Sequence, residues 1–348
     1  MSTDTPVTGA TVAGPDVWRK RLALYQQPNA VRSVVEIGLS LGPLLAIWAA
    51  GWVAVHFGLW WVALLLSIPA AGFVLRLFMV QHDCGHRAFF KSPAANDWVG
   101  RAIGVLTLTP FDCWRREHAI HHATAGDLDR RGPGAIHTLT VEEYAKMGFW
   151  GRLGYRLYRN PLVLFVVGPF YVFFLQQRLP VGLMKEGWRP WVSAMGTNII
   201  LAVLVVTAIL LGGWKELLLV HVPTVVIAAS AGVWLFYVQH QFEDTYWARR
   251  EDWNQTEAAL HGSSHYELPL VLRWITANIG VHHVHHVSSR IPFYRLQNVL
   301  KDHPELREIG RMTLGDSLRT VGLTLWDEAR QTLISFGQYK RGLQRAAA

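Results

Sequence analysis

The sequence predicts an all-α integral-membrane protein. Four transmembrane helices form two hairpins, joined to interfacial helices and a cytosolic helical cap that carries clustered histidines. Three observations predict this. Four apolar runs each reach the length of about 20 residues that crosses a bilayer. Charged residues make up only 17% of the chain, against about 25% in soluble domains. Histidines gather in polar segments that the charge pattern places on one side of the membrane.

The elements follow in chain order. Residues 1–36 read as a cytosolic N-terminal segment. Arg19, Lys20 and Arg21 have no apolar run behind them at signal-peptide distance, so no cleaved targeting segment is expected. Residues 37–348 read as one membrane domain with spans at about 37–55, 59–80, 191–211 and 217–238. The linkers His56–Gly58 and Gly212–Glu216 are short enough to make each pair a helical hairpin. Basic residues flank both pairs: Arg32 and Lys91 around the first, Lys185 and Arg249 around the second. The positive-inside rule makes all of these cytoplasmic. A fifth apolar run, Pro161–Leu179, has Pro169 in its middle and basic residues at both ends. A crossing there would put the second half on the wrong side, so it is expected to lie in the interface or to re-enter. Trp98–Leu108 is too short to span.

The net charge of +8 does not point to nucleic acid, because Lys and Arg flank apolar runs instead of forming a stripe. It suits anionic headgroups and an acidic electron carrier. Two cysteines, Cys84 and Cys113, cannot build a disulfide framework or a cysteine-based metal site.

Eight of the 16 histidines fall in three clusters: His82 and His86 in HDCGH, His118, His121 and His122 in HAIHH, and His282, His285 and His286 in HHVHH. On a helix, positions i and i+4 differ by about 40° and i+3 shares the face. HxxxH is therefore expected to aim two imidazoles one way, and HxxHH three. With 16 His in 348 residues, about 0.03 copies of HxxHH arise by chance. Two copies plus HxxxH are a strong signal, against the bland reading of solvated helix faces. His240 joins the set because it ends the fourth span at the depth where His82 ends the second. His261 and His265 stand at i, i+4, but nothing else converges on them.

Imidazole suits iron, zinc, copper and nickel, so spacing alone does not choose the metal. Eight or nine ligands oversupply one zinc ion and suit two metal ions. A membrane location implies a long apolar substrate, and an unactivated C–H bond calls for a redox metal. No dinucleotide fingerprint opens a helix.

At these residues the chain resembles the membrane fatty-acid desaturase family. HDCGH, HAIHH and Asn278-Ile-Gly-Val-His282-His-Val-His-His286 carry the likeness. The segments Phe89–Gly100 and Gly126–Tyr144 are similar to bacterial acyl-lipid desaturases of the Δ12/Δ5 kind. The resemblance implies two iron ions, an acyl tunnel, and nine ligands: His82, His86, His118, His121, His122, His240, His282, His285 and His286. Asp83, Glu117 and Asp127 are expected to orient ligand imidazoles, and Asn278 to hydrogen-bond behind His282. Phe236 stands where the stearoyl-CoA branch places a water-bridging Asn, which leaves that iron's coordination open. No HPGG haem signature follows His303, so a separate donor, ferredoxin or flavodoxin, is expected.

The expected activity is O2-dependent desaturation of a lipid-linked acyl chain, with phospholipid the expected carrier and a bacterial inner membrane the expected location. Two rivals use the same sequence features. One is a di-iron hydroxylase of alkanes, sphingolipids or carotenoids, which would leave an OH group. The other is a histidine-rich metal transporter, which would place ionisable residues at mid-membrane. Here Glu36 and Arg76 lie near the cytoplasmic edges and His221 near the outer one.

Overall fold

The computed structural model describes residues 15–132 and 136–346. The first fourteen residues of the expected N-terminal segment lie outside them. Helices dominate. Four are long and apolar enough to cross a membrane: α1 (Ala30–His56), α2 (Trp60–Gly85), α7 (Trp188–Leu210) and α8 (Trp214–His240). Between α2 and α7 come α3 (Pro93–Leu106), α4 (Phe111–Thr124), α5 (Phe149–Tyr158) and α6 (Val163–Arg178). After α8 come the short helices α9 (Leu270–Ile275) and α10 (His282–Val287).

The apolar runs become helices because a bilayer leaves backbone groups no partner but their own chain. Asn29 starts α1 by accepting a hydrogen bond from the Arg32 amide at 2.9 Å, as an N-cap should. Gly58, at φ +75°, makes the tight connection to α2, a backbone state that suits glycine. Helix α1 packs along α2, and α2 also receives α8 and α3. Helix α7 rests on α3 and α4, and much of its remaining surface is bare apolar side chain, with Leu210 80% exposed. An apolar stripe of that extent is a lipid-facing surface.

The fifth apolar run does not continue as one straight span. Helix α5 meets α6 at a 60° bend, and α6 contains two π-helical stretches around Pro169. Proline at that point removes one amide donor, and wider turns accommodate the break. Phe149 and Trp150 stand exposed at the start of α5.

The polar segments add two small sheets that the sequence reading did not anticipate. Strand β1 (Leu139–Thr140) pairs in parallel with β4 (Leu323–Asp327), and β4 pairs antiparallel with β5 (Thr332–Ser335). Strand β2 (His265–Glu267) pairs in parallel with β3 (Arg311–Thr313). Strands this short carry too few alternations to show a period of two. They matter because they tie the C-terminal region to the ends of the spans. Arg159 makes the tie explicit: its buried guanidinium donates to Leu323 O at 2.6 Å and to the Gln241 amide oxygen at 3.1 Å.

One ion pair lies buried among the long helices. Arg76 on α2 pairs with Glu36 on α1 and donates to the carbonyl of Trp274 on α9. Arg32 reaches the other Glu36 oxygen at 2.6 Å. Two charges out of water cost several kcal/mol each unless paired, so the pair fixes α1, α2 and α9 together six residues before His82. Replacing Arg76 by Met should cost about 3 kcal/mol, more than the double change Glu36→Leu with Arg76→Met. Chemical unfolding in detergent measures both. A double variant as unstable as the single one would show that the pair has no such role.

Candidate metal centre

Four chain segments bring their histidines to one region. The end of α2 supplies His82 and His86, α4 supplies His118, His121 and His122, the end of α8 supplies His240, and α10 supplies His282, His285 and His286. All nine expected residues meet there. They form two groups whose candidate ligand atoms lie within 4.8 Å of one another: His82, His86, His118, His122 and His285 in the first, His121, His240, His282 and His286 in the second.

The partition corrects the expectation that each HxxHH motif aims three imidazoles one way. His118 and His122 serve the first group while His121 serves the second. His282 and His286 serve the second while His285 serves the first. Helical geometry explains it. Relative to position i, i+4 lies about 40° one way and i+3 about 60° the other, so i+3 and i+4 diverge by about 100°. Each motif gives its i, i+4 pair to one point and its i+3 member to the other.

Distances show the convergence. His118 and His122 Nε2 are 3.1 Å apart, as are those of His122 and His285. In the second group, His240 Nε2 stands 3.1 Å from His121 Nε2 and 3.0 Å from His282 Nε2. The His122 and His286 rings stack at 4.1 Å, joining the two groups. His86 Nε2 is buried with no hydrogen-bond partner among the described residues. A buried, unsatisfied nitrogen among four other imidazoles is what a bound cation would satisfy, so the donor set fits a pair of metal ions.

Neighbouring groups fix several rings. His240 Nδ1 lies 3.0 Å from the Gly262 carbonyl. Its proton donated there would leave Nε2 free as a ligand. His82 Nδ1 is 3.3 Å from the Asp83 carboxylate, whose other oxygen accepts from the Phe293 amide at 2.7 Å. Trp114 stacks on His118 at 4.7 Å and 14°. A side chain at Gly85 would meet the Trp114 ring at 2.9 Å, which accounts for glycine inside HDCGH. Neither Trp114 nor the Gly262 carbonyl carries a signal in the sequence, since both act through tertiary approach.

Three expected supporting residues do other work. Asp127 accepts from the Asp129 amide at 3.0 Å and the Arg130 guanidinium at 2.7 Å, so its carboxylate closes a turn and touches no imidazole. Asn278 donates to Phe293 O at 3.3 Å from a left-handed backbone at φ 58°. Glu117 faces the apolar cavity described below, and burial pushes its carboxyl up to about 7. Phe236 packs beside His121 and His240, with ring centres 5.0 and 5.2 Å away. The His261–His265 pair does not form: His261 lies 3.6 Å from Glu257 and His265 Nδ1 2.6 Å from Arg307 O.

Outside the spans, His118, His121, His122, His282, His285 and His286 are all held well below the ordinary imidazole value, first by burial and then by neighbouring imidazoles, those of His82, His86 and His240 included. Neutral imidazole is the form that ligates metal.

A cavity of about 470 Å³ opens onto both groups. His82 and His118 from the first and His121 and His282 from the second stand in its wall. Apolar side chains of α2, α6 and α8 form most of the rest, among them Leu75, Phe78, Val172, Phe173 and Val233. The Thr107 hydroxyl, also in the wall, donates to the Gln81 amide oxygen at 2.6 Å.

Comparison with known proteins agrees with this geometry. A family model described as fatty acid desaturase matches residues 59–313. A Bacillus subtilis protein named fatty acid desaturase is 40% identical over 323 residues, 92% of this chain and 90% of the relative. An sn-1 acyl-lipid omega-3 desaturase (ferredoxin) of Synechocystis is 26% identical over 283 residues, 78% of this chain and 74% of the relative. An sn-1 oleoyl-lipid 12-desaturase of Anabaena variabilis is 25% identical over 290 residues, 77% of this chain and 73% of the relative. With its histidines gathered into two metal-competent groups beside an apolar cavity, the chain belongs to the fatty acid desaturase family.

Proposed function

We propose that the protein desaturates a lipid-linked fatty acyl chain in an O2-dependent reaction at two iron ions, five histidines holding one and four the other. The single observation that carries the reading is the cavity wall, where imidazoles of both groups face one apolar space. Adjacent methylenes of an acyl chain lying there would stand opposite both metals. The balanced reaction is R–CH2–CH2–R′ + O2 + 2 e⁻ + 2 H⁺ → R–CH=CH–R′ + 2 H2O.

When bound, the iron pair supplies one-electron and O2 chemistry that no side chain offers. The protein's own residues position and shield. Leu75, Phe78 and Val233 hold the chain by apolar contact and keep water out. The Gly262 carbonyl and Asp83 set the tautomers of His240 and His82. Trp114 limits the rotation of His118. Phe236 leaves the four-histidine position without a polar side chain at that point, which makes the two iron sites chemically unequal.

An acyl-lipid substrate and a ferredoxin-type donor are supported by the names of the relatives, and flavodoxin is the alternative donor. Short connections at Gly58 and Gly212 support two membrane hairpins, with the histidine side cytoplasmic in a bacterial inner membrane. Residues 1–36 then form a cytosolic segment before a single desaturase domain at 37–348.

Expression in a host lacking the activity, followed by mass-spectrometric location of lipid double bonds, tests the reading. New cis alkenes are expected, and hydroxylated chains would favour the oxygenase alternative instead. Purified protein should carry two iron ions per chain. Replacing His240 by Ala should lower that toward one and stop turnover; protein that binds a single zinc ion would sink the proposal. Asp83→Asn should weaken metal retention by about 10–100-fold, read by chelator competition.

The pH dependence has a definite sign. The folded imidazoles lie below the unfolded value near 6.5, so the unfolded chain binds more protons as pH falls. Stability of the metal-free protein should therefore be full above about 6.5 and decline progressively below it. Metal release should follow the same direction but begin further below 6.5 than exposed histidines would allow, because burial resists protonation. Equilibrium unfolding and metal content across pH 4–8 check both, and a rise in stability on acidification would contradict them.

A further inference from the structure

A second concavity lies on the opposite face of α4 from the acyl cavity. Trp114, Glu117, His118 and His121 face the acyl cavity, whereas Arg115, Arg116 and Ala119 face this cleft of about 1250 Å³ between α3, α4 and α7. Its rim carries five guanidinium groups, from Arg87, Arg101, Arg115, Arg116 and Arg189. Its floor is apolar, from Val105, Val192 and Ile200. Trp98 and Trp188 flank it, 68% and 69% exposed, as tryptophans at a membrane interface do.

The charges are only partly matched. Arg101 bonds Asp112 at 2.9 Å, Arg115 bonds Asp97 at 2.6 Å, and Arg116 pairs with Glu186. Arg87 is loosely placed, 3.7 Å from the already engaged Asp97. Arg189 lies against the Trp188 ring and has no carboxylate partner among the described residues. Five positive groups thus meet three carboxylates, and two positive charges remain beside an apolar trough at the end of a membrane helix.

We propose that this cleft binds one anionic glycerophospholipid, its phosphate between Arg87 and Arg189 and an acyl chain along the α7 floor. The complementarity is in two parts: guanidinium for phosphate and apolar helix for hydrocarbon. An acidic protein would match the rim but not the floor. Cys113 Sγ donates to Pro190 O at 3.3 Å and the Asp112 amide to Ser193 Oγ at 3.2 Å, so α4 and α7 already touch at this cleft. A lipid there would clamp the helix that carries His118, His121 and His122 to the neighbouring span.

The test uses the full chain, delipidated in mild detergent and titrated with dioleoyl phosphatidylglycerol, dioleoyl phosphatidylcholine or glycerol 3-phosphate. Native mass spectrometry counts adducts and thermal melting reads stabilisation. A single phosphatidylglycerol adduct should form at least about tenfold more tightly than phosphatidylcholine, with a raised melting temperature. Arg87→Gln with Arg189→Gln removes the two least engaged charges and should abolish the preference while keeping the other ion pairs. Gly196→Leu fills the trough, since a Cβ there meets nothing within 4 Å, and should abolish retention in a folded protein. Equal binding of phosphatidylcholine, equal stabilisation by glycerol 3-phosphate, or unchanged phosphatidylglycerol binding in both variants would overturn the proposal. So would variants that lose only donor-dependent turnover, which would assign the rim to an acidic carrier. Lipid retention is read without desaturation, so this inference and the proposed activity can fail separately.

Discussion

Nine imidazole nitrogens aimed at two points, from four segments far apart in the chain, are the constraint around which the structure is arranged. Five of these histidines are buried and four half-buried, and neutral imidazole is the form that ligates metal, so water and counter-charges do little to hold them in place. The surrounding protein supplies what solvent cannot. The C-terminal turns of α2 and α8 carry His82 and His240. The Glu36–Arg76 pair locks α2 to α1 and to the segment preceding α10. Arg159 binds the end of α8 to β4.

Much of this was legible in the sequence because the strongest signals are local. A span is a composition, and each of the four apolar runs appears as a long helix, although the first begins at Ala30, seven residues before its expected start, and the second runs on to Gly85, five beyond its expected end. The i, i+4 histidines mark one helical face, and all nine expected residues come together. His240 has no partner in its own segment and was visible only through its depth beside His82. The supporting layer was less legible. Asp127 looked well placed in sequence yet closes a turn, whereas the Gly262 carbonyl, which no residue type announces, fixes His240. Backbone groups and tertiary approach leave no mark in a pattern of side chains. The small sheets were missed for a related reason, since two to five residues carry no periodicity.

The fifth apolar run shows how charge and packing speak to the same question. Its basic flanks and Pro169 argue against a simple straight crossing, and α5 and α6 meet at a 60° bend, the shape of a broken span or of a re-entrant loop. Its apolar side chains are not idle: Val172 and Phe173 complete the wall of the cavity opposite α2. A bent apolar stretch thereby lines a space suited to hydrocarbon.

The exchange of i+3 histidines between the two groups has a consequence for assembly. Helices α4 and α10 each contribute to both groups, so neither can be ordered without partly ordering the other. A rotation of either helix by one position would dismantle both sites at once, with no intermediate in which one is whole. The register of α4 and the register of α10 are therefore mutually dependent, since each helix completes a group that the other begins.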